Sequence, residues 1–179
     1  MAAERLLIFA LLGVSLTAPG CTRRHGQSSF TAQEAGEPQP LLSSIKMGDA
    51  NASDQLVNGF YGIESGSWRW TSGHFSVVLL VPPGIQNGAT VTLSLFVPDP
   101  VIQRLKSMAL TASVGGQALN SSRYSASGPN TFTADVPSGL LTKDTVKVDF
   151  ALDKSVPPGA LGDKRELGII ATSVGLTAR

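Results

Sequence analysis

ATVTLSLFV, residues 89–97, alternates with a period of two: Val91, Leu93, Leu95 and Val97 fall on one side, Thr90, Thr92 and Ser94 on the other. Successive side chains of an extended chain point to opposite faces, so this stretch predicts a strand with one buried and one wetted side. The pattern recurs outward in both directions. In TVKVDFAL, Val146, Val148, Phe150 and Leu152 oppose Thr145, Lys147, Asp149 and Ala151. MALTASV and TFTADV repeat it in shorter form, with Met108, Leu110, Ala112 and Val114 on one apolar face and Phe132, Ala134 and Val136 on another. FSVVLLV, residues 75–81, is apolar on both sides over part of its length, which predicts a central strand covered on both faces.

Between these runs stand VPPG (Val81–Gly84), QNG (Gln86–Gly88), VGG (Val114–Gly116), SGPN (Ser127–Asn130) and a second VPPG (Val156–Gly159). Each supplies a proline-fixed φ or a glycine for positive φ, the chemistry of turns. Runs and turns at this spacing predict an all-β fold: an antiparallel, jelly-roll-like β-sandwich of about eight or nine strands. DPVIQRLKSM (Asp99–Met108) alone has helical character, with Asp99 as cap and Pro100 in the first turn, and predicts one short connecting helix.

The N-terminus has a different make-up. Arg5 precedes the apolar run LLIFALLGVSL (Leu6–Leu16) and then TAPGC, ending at Cys21. This is the layout of an export signal, and the run is about half the roughly 20 residues a membrane-crossing helix needs. TAPGC resembles the lipobox of bacterial lipoproteins, with Ala18 where that motif most often has Leu and Pro19 before Gly20. The resemblance implies a lipid on the Cys21 thiol and a membrane anchor through it, and Thr22 after the cysteine favours an outer membrane. The alternatives are ordinary cleavage near Gly20 that leaves a lone thiol, or cleavage that removes Cys21. As the only cysteine, Cys21 allows no intramolecular disulfide.

Residues 1–20 are thus expected to be the signal, 21–50 a tether rich in Gln, Ser, Gly, Pro and Glu, and 51–179 the sandwich. Within the tether LLSSIKM is apolar enough to pack on the domain. The net charge is +1 and the basic residues are dispersed, which argues against nucleic acid as a partner. TRRH, residues 22–25, is a juxtamembrane patch too small for a polybasic lipid signal.

No motif for chemistry stands out. There is no G-x-S-x-G, no H-E-x-x-H and no EF-hand loop, and of the two histidines His25 lies in the tether. No catalytic residue, cofactor or metal ligand is assigned, although GDANASD (Gly48–Asp54) and LGDKRE (Leu161–Glu166) hold oxygens suited to structural Ca²⁺. Glu64, Asp149, Asp153, Asp163 and Glu166 are carboxylates of the type used in glycoside hydrolysis, without a spacing that pairs any two.

GFYGIESGSWRWTSGHF, residues 59–75, concentrates aromatic side chains. If SWRWT is a strand, Trp68 and Trp70 face one side and Arg69 and Thr71 the other. In one reading the Trp pair is core, and Arg69 meets solvent or pairs with Glu64. In the other the rings, with Tyr61, line a ligand platform on which Glu64, Arg69 and His74 bind hydroxyls.

Together with TLSLFVP and VKVDFALDKSVPPGALGDKRELGIIATSVGL, this segment resembles a little-characterised bacterial β-sandwich module. Such modules occur in exported proteins or attached to glycosyltransferases and polysaccharide-biosynthesis proteins. The residues that carry the resemblance are Glu64, Arg69, Trp70 and Thr71, then Asp153, Pro157, Asp163, Arg165 and Leu167–Ile169. It implies association with glycan or polysaccharide and leaves the sugar open. Arg165 and Asp163 also have a structural reading, in which they hold the Pro-rich loop and join Glu64. The expectation is therefore a non-catalytic, lipid-anchored envelope protein with a carbohydrate-binding-like sandwich. The alternatives are a structural lipoprotein that docks an envelope complex and, third, a hydrolase.

Overall fold

The structure, a computed structural model, describes residues 40–179. Among them are nine strands: β1 (Ser44–Lys46), β2 (Leu56–Glu64), β3 (Trp68–Leu80), β4 (Ala89–Val97), β5 (Met108–Val114), β6 (Gln117–Tyr124), β7 (Gly128–Val136), β8 (Thr145–Leu152) and β9 (Ile170–Ala178). One helix, α1 (Asp99–Leu105), joins β4 to β5. No helix among these residues is long and apolar enough to cross a membrane.

The strands run in the order β6-β5-β8-β3-β9-β4-β7, with β2 added to β3 and β1 to β9, and every pairing is antiparallel. The sheet curls on itself until Asn120 of β6 donates to the Thr133 carbonyl of β7 at 2.8 Å. The result is a barrel-like sandwich, as the alternating pattern predicts. Its core is built from the expected rows: Val91, Leu93, Leu95 and Val97; Met108, Leu110, Ala112 and Val114; Phe132, Ala134 and Val136; Val146, Val148, Phe150 and Leu152 are all buried. Phe75 stacks on Phe150 at 5.0 Å, and Phe132 meets Phe150 edge-on at 6.1 Å, at the centre of this core.

The long strand β3 holds the two layers together. Its first half pairs with β9 through Arg69↔Ala171 and Trp70↔Ile170, and its second half pairs with β8 from His74↔Ala151 to Leu80↔Thr145. The apolar run in that second half is covered throughout on its inner face and only in part on its outer one. Phe75, Val77 and Leu79 are buried inward, whereas outward Ser76 is covered and bonds Asn58 but Leu80 is 38% exposed.

Two further expectations change. The body begins before residue 51, because LLSSIKM is part of it: β1 pairs with β9, and Ile45 and Met47 are buried. Gln55 fastens this segment. Its buried amide donates to the carbonyls of Leu42 and Val78 at 2.8 and 2.7 Å and accepts from the Leu42 N–H at 2.9 Å, standing in for a stretch of ladder. Helix α1 is capped by Pro98, so Asp99 lies in the first turn instead, and Lys106 at φ 65° ends the helix before Met108 opens β5. Cys21, the expected signal and most of the expected tether lie outside the described residues.

Candidate functional site

The hairpin from β2 to β3 turns at Ser65 and Gly66, both in the left-handed region at φ 48° and 66°. Gly48 packs against this tip so closely that a Cβ there would stand 2.4 Å from the Gly66 carbonyl oxygen. Absence of a side chain at 48 lets the chain after β1 lie along the hairpin, which brings the Met47 carbonyl to Arg69.

Arg69 is an interior residue, 7% exposed. Its Nε donates to the Met47 carbonyl at 3.0 Å, Nη1 to the Tyr61 carbonyl at 3.1 Å and Nη2 to Ser53 Oγ at 3.1 Å. Burial pulls its pKa below the ordinary arginine value. Both sequence readings of Arg69 are corrected by this geometry: it neither faces a ligand nor pairs with Glu64, but ties three backbone segments from within. Thr71, next along the inner side, is fully buried; it accepts from the Ile169 N–H at 3.2 Å and donates to the Ile169 carbonyl at 3.3 Å.

The same parity turns Trp68 and Trp70 outward. Both are half-buried, and their rings meet edge to face with centroids 6.3 Å apart and planes at 77°. They form a corner on the outer side of the sheet, where Trp70 still packs against the buried core cluster. Trp70 lies opposite Ile170, Ile170 opposite Phe96, and Phe96 opposite Pro129. Directly paired residues share a face, so these four form an apolar row across β3, β9, β4 and β7. Three strand spacings make it about 14 Å long. Phe96 is 37% exposed and Pro129 is exposed. The next row on this face is made of hydroxyls, Ser173 opposite Ser94 and Ser94 opposite Thr131, with Lys46 of β1 opposite Ser173.

A charged cluster borders the Trp end. Glu64 lies opposite Trp68, and its Oε1 accepts from Arg165 Nη1 at 2.7 Å. Arg165 Nη2 donates to Asp163 Oδ2 at 2.8 Å, its Nε donates to Oδ1 of the same carboxylate at 3.1 Å, and the guanidinium lies 5.0 Å from the Tyr61 ring centroid. The Tyr61 hydroxyl donates to the Glu166 carbonyl at 2.9 Å, and burial pushes its pKa up. Hydrogen bonds from the Arg165 side chain and N–H hold the Asp163 carboxyl down at about 2, and the two carboxylates raise Arg165 in turn. The loop of residues 153–169 is thereby fastened to β2.

The sequence candidates thus separate. Tyr61, Glu64, Trp68 and Trp70 come together with Arg165 and Asp163; Arg69 lies inside. His74 is exposed on the outer face of the other layer, in a cleft of about 220 Å³ with Asn58, Ser113 and Asp149. Ile170, Phe96 and Pro129 escaped the sequence reading, although Phe96 carried a signal, being the one aromatic at an outward position of ATVTLSLFV.

The carboxylates are occupied in gripping. Glu64 and Asp163 converge on one arginine, Asp149 pairs with Lys147 at 2.7 Å, Asp153 accepts from the Ala109 N–H at 2.6 Å, and Glu166 accepts from Ser155. Arg165 engages both Glu64 and Asp163, and its hydrogen bonds favour the ionised form of the Asp163 carboxyl. No group of three His, Cys, Asp or Glu side chains assembles as a metal site among the described residues.

No known protein-family pattern matches the chain, and no curated protein does. Several solved structures are similar in fold. The K1 cleaved adhesin domain of Lys-gingipain from Porphyromonas gingivalis W83 is 16% identical over 76% of this chain and 89% of that one, with a TM-score of 0.40. A CBM4 structure is 14% identical over 76% of this chain and 85% of that one, with a TM-score of 0.38. The GH115 4-O-methyl-alpha-glucuronidase BtGH115A is 9% identical with a TM-score of 0.42; 79% of this chain matches it but spans only 18% of its length. The likeness is one of β-sandwich fold alone.

Proposed function

We propose that this protein is a non-catalytic glycan-binding module, exported and held at the cell envelope by a lipid on Cys21, and that its ligand lies against the Trp68–Trp70 face. One observation carries the reading: a half-buried Trp corner continues in register into an apolar row, with a row of hydroxyls beside it and a fixed charged cluster at its end. A pyranose ring has the same division, with apolar C–H faces and a polar rim. The parts of this face are already held in place, Trp68 and Trp70 by their strand and Glu64 by Arg165, so little ordering is left to oppose binding. Anchored at the envelope, the module would hold a surface polysaccharide during its assembly.

The test is a glycan-array screen of the purified protein beside Trp70→Ala, with the fold of the variant checked by circular dichroism. Binding by the native protein that weakens about tenfold or more in the folded variant supports the reading, as expected when a central aromatic anchor is removed. A native protein that binds no glycan turns the weight to an envelope-docking protein. Anchoring is tested separately: Cys21→Ser should move the protein out of the membrane fraction, and unchanged retention would sink the lipid.

A further inference from the structure

The register of the outer face says more about the ligand than the Trp pair does. A site made of Trp68 and Trp70 alone would suit one terminal sugar. Here the apolar surface continues from Trp70 through Ile170 and Phe96 to Pro129 at right angles to the strands, across four of them. At about 4.8 Å per strand, the row has the length of several linked sugar units.

Charge narrows the class. Arg165, joined to the Trp corner through the Glu64 that lies opposite Trp68, is taken up by Glu64 at 2.7 Å and Asp163 at 2.8 Å. With Lys164 and Glu166 of the same loop counted, Glu64, Asp163 and Glu166 outnumber Lys164 and Arg165 and leave that end negative, unfavourable to a sugar acid by like-charge repulsion. Along the row and the hydroxyl row beside it, Lys46 is the single cation. A polymer with a carboxylate on each unit would need several cations along this length.

We infer that the ligand is an uncharged, extended glycan chain laid across β3, β9, β4 and β7, with Phe96 and Pro129 as its far contacts. This rests on the Trp face being a glycan site. The hydroxyls of Ser173, Ser94 and Thr131 then meet one edge of the chain while its apolar faces lie on the row.

The experiment is affinity electrophoresis of the full chain in gels holding galactomannan, xyloglucan or an uncharged β-glucan, beside gels holding polygalacturonate or alginate. Oligosaccharides of the retained polymer are then titrated calorimetrically into native protein, Phe96→Ala, Phe96→Tyr and Trp70→Ala, each checked by thermal melting. Retardation by an uncharged polymer only, an affinity that rises with length beyond the disaccharide, and a loss of about fivefold or more for long oligosaccharides in Phe96→Ala with recovery in Phe96→Tyr are expected. Preference for a polyuronate overturns the uncharged class. Loss in Trp70→Ala with none in Phe96→Ala overturns the extended footprint and leaves the Trp site standing. No retardation by any polymer overturns the Trp site itself, and the inference with it.

Discussion

The two halves of β3 are opposites. From His74 to Leu80 the strand has the ordinary polarity of a sandwich, with Phe75, Val77 and Leu79 buried inside and His74 and Ser76 on the outer side. From Trp68 to Thr71 the polarity is inverted: Arg69 and Thr71 are inside and the two tryptophans outside. Side chains point in and out by turns through both halves, although Val78 and Leu80 leave the outer side of the second half partly apolar, so strand parity alone does not tell them apart. What differs is the surroundings. The second half runs beside β8 over the aromatic core, whereas the first runs beside β9, where the carbonyls of Met47, Tyr61 and Ile169 turn inward and need donors. A segment that spends large aromatic rings on its outer side and solvates its inner side with its own polar groups departs from the local rule, as functional or strained segments do.

The largest expected effect breaks the inverted half. Arg69→Ala removes three hydrogen bonds from a charged donor and leaves the Met47 and Tyr61 carbonyls unpaired in the interior. A loss of about 3 kcal/mol or more is expected, read from urea unfolding. Leu79→Ala, in the ordinary half, should lose about 2–5 kcal/mol through its cavity. If Arg69→Ala loses less than about 1 kcal/mol, the polar interior is incidental and the inversion has no structural basis.

The outer faces give the next contrast. His74→Ala should leave glycan binding within about twofold of native and stability within about 0.5 kcal/mol, since an exposed side chain away from the Trp corner is being trimmed. Loss of binding in His74→Ala, read by the same titration as Trp70→Ala, would move the site to the other layer.

The alternating rows were legible because one-sided burial writes period two directly into the residues. Val91 to Val97 and Val146 to Leu152 needed nothing beyond that, whereas the second half of β3, read as covered on both faces, is covered outside only in part. The strand parity of Trp68 and Trp70 was equally legible, but the side facing inward was not: large rings usually take the core, and here three polar acceptors outweigh them. β1 was legible only as an apolar exception in a polar segment, because three residues are too few to show a period. Its fastening by Gln55 depends on contacts 13 and 23 residues away. The clamp between Glu64 and Arg165 spans 101 residues, a distance at which spacing carries no information. Phe96 was legible in principle, as an aromatic at a position that the alternation reserves for Thr and Ser.

The smallest effect concerns the clamp that borders the inverted half. Asp163 has an ordinary carboxyl pKa of 3.8 when free and about 2 in the fold, because Arg165 donates to its ionised form. A folded value below the unfolded one means that the ionised group favours the fold. The contribution is complete above about pH 4 and drains away as the pH falls towards 2. The cluster is partly in solvent, so the effect is small and weakens with salt. The informative quantity is the difference between native protein and Asp163→Asn, measured as melting temperature at each pH. The native protein should melt higher at pH 6 and the gap should close by about pH 2. A gap that persists there would mean that Asp163 holds the loop through its shape and N–H contact, with Glu64 supplying the charge that keeps Arg165 over Tyr61.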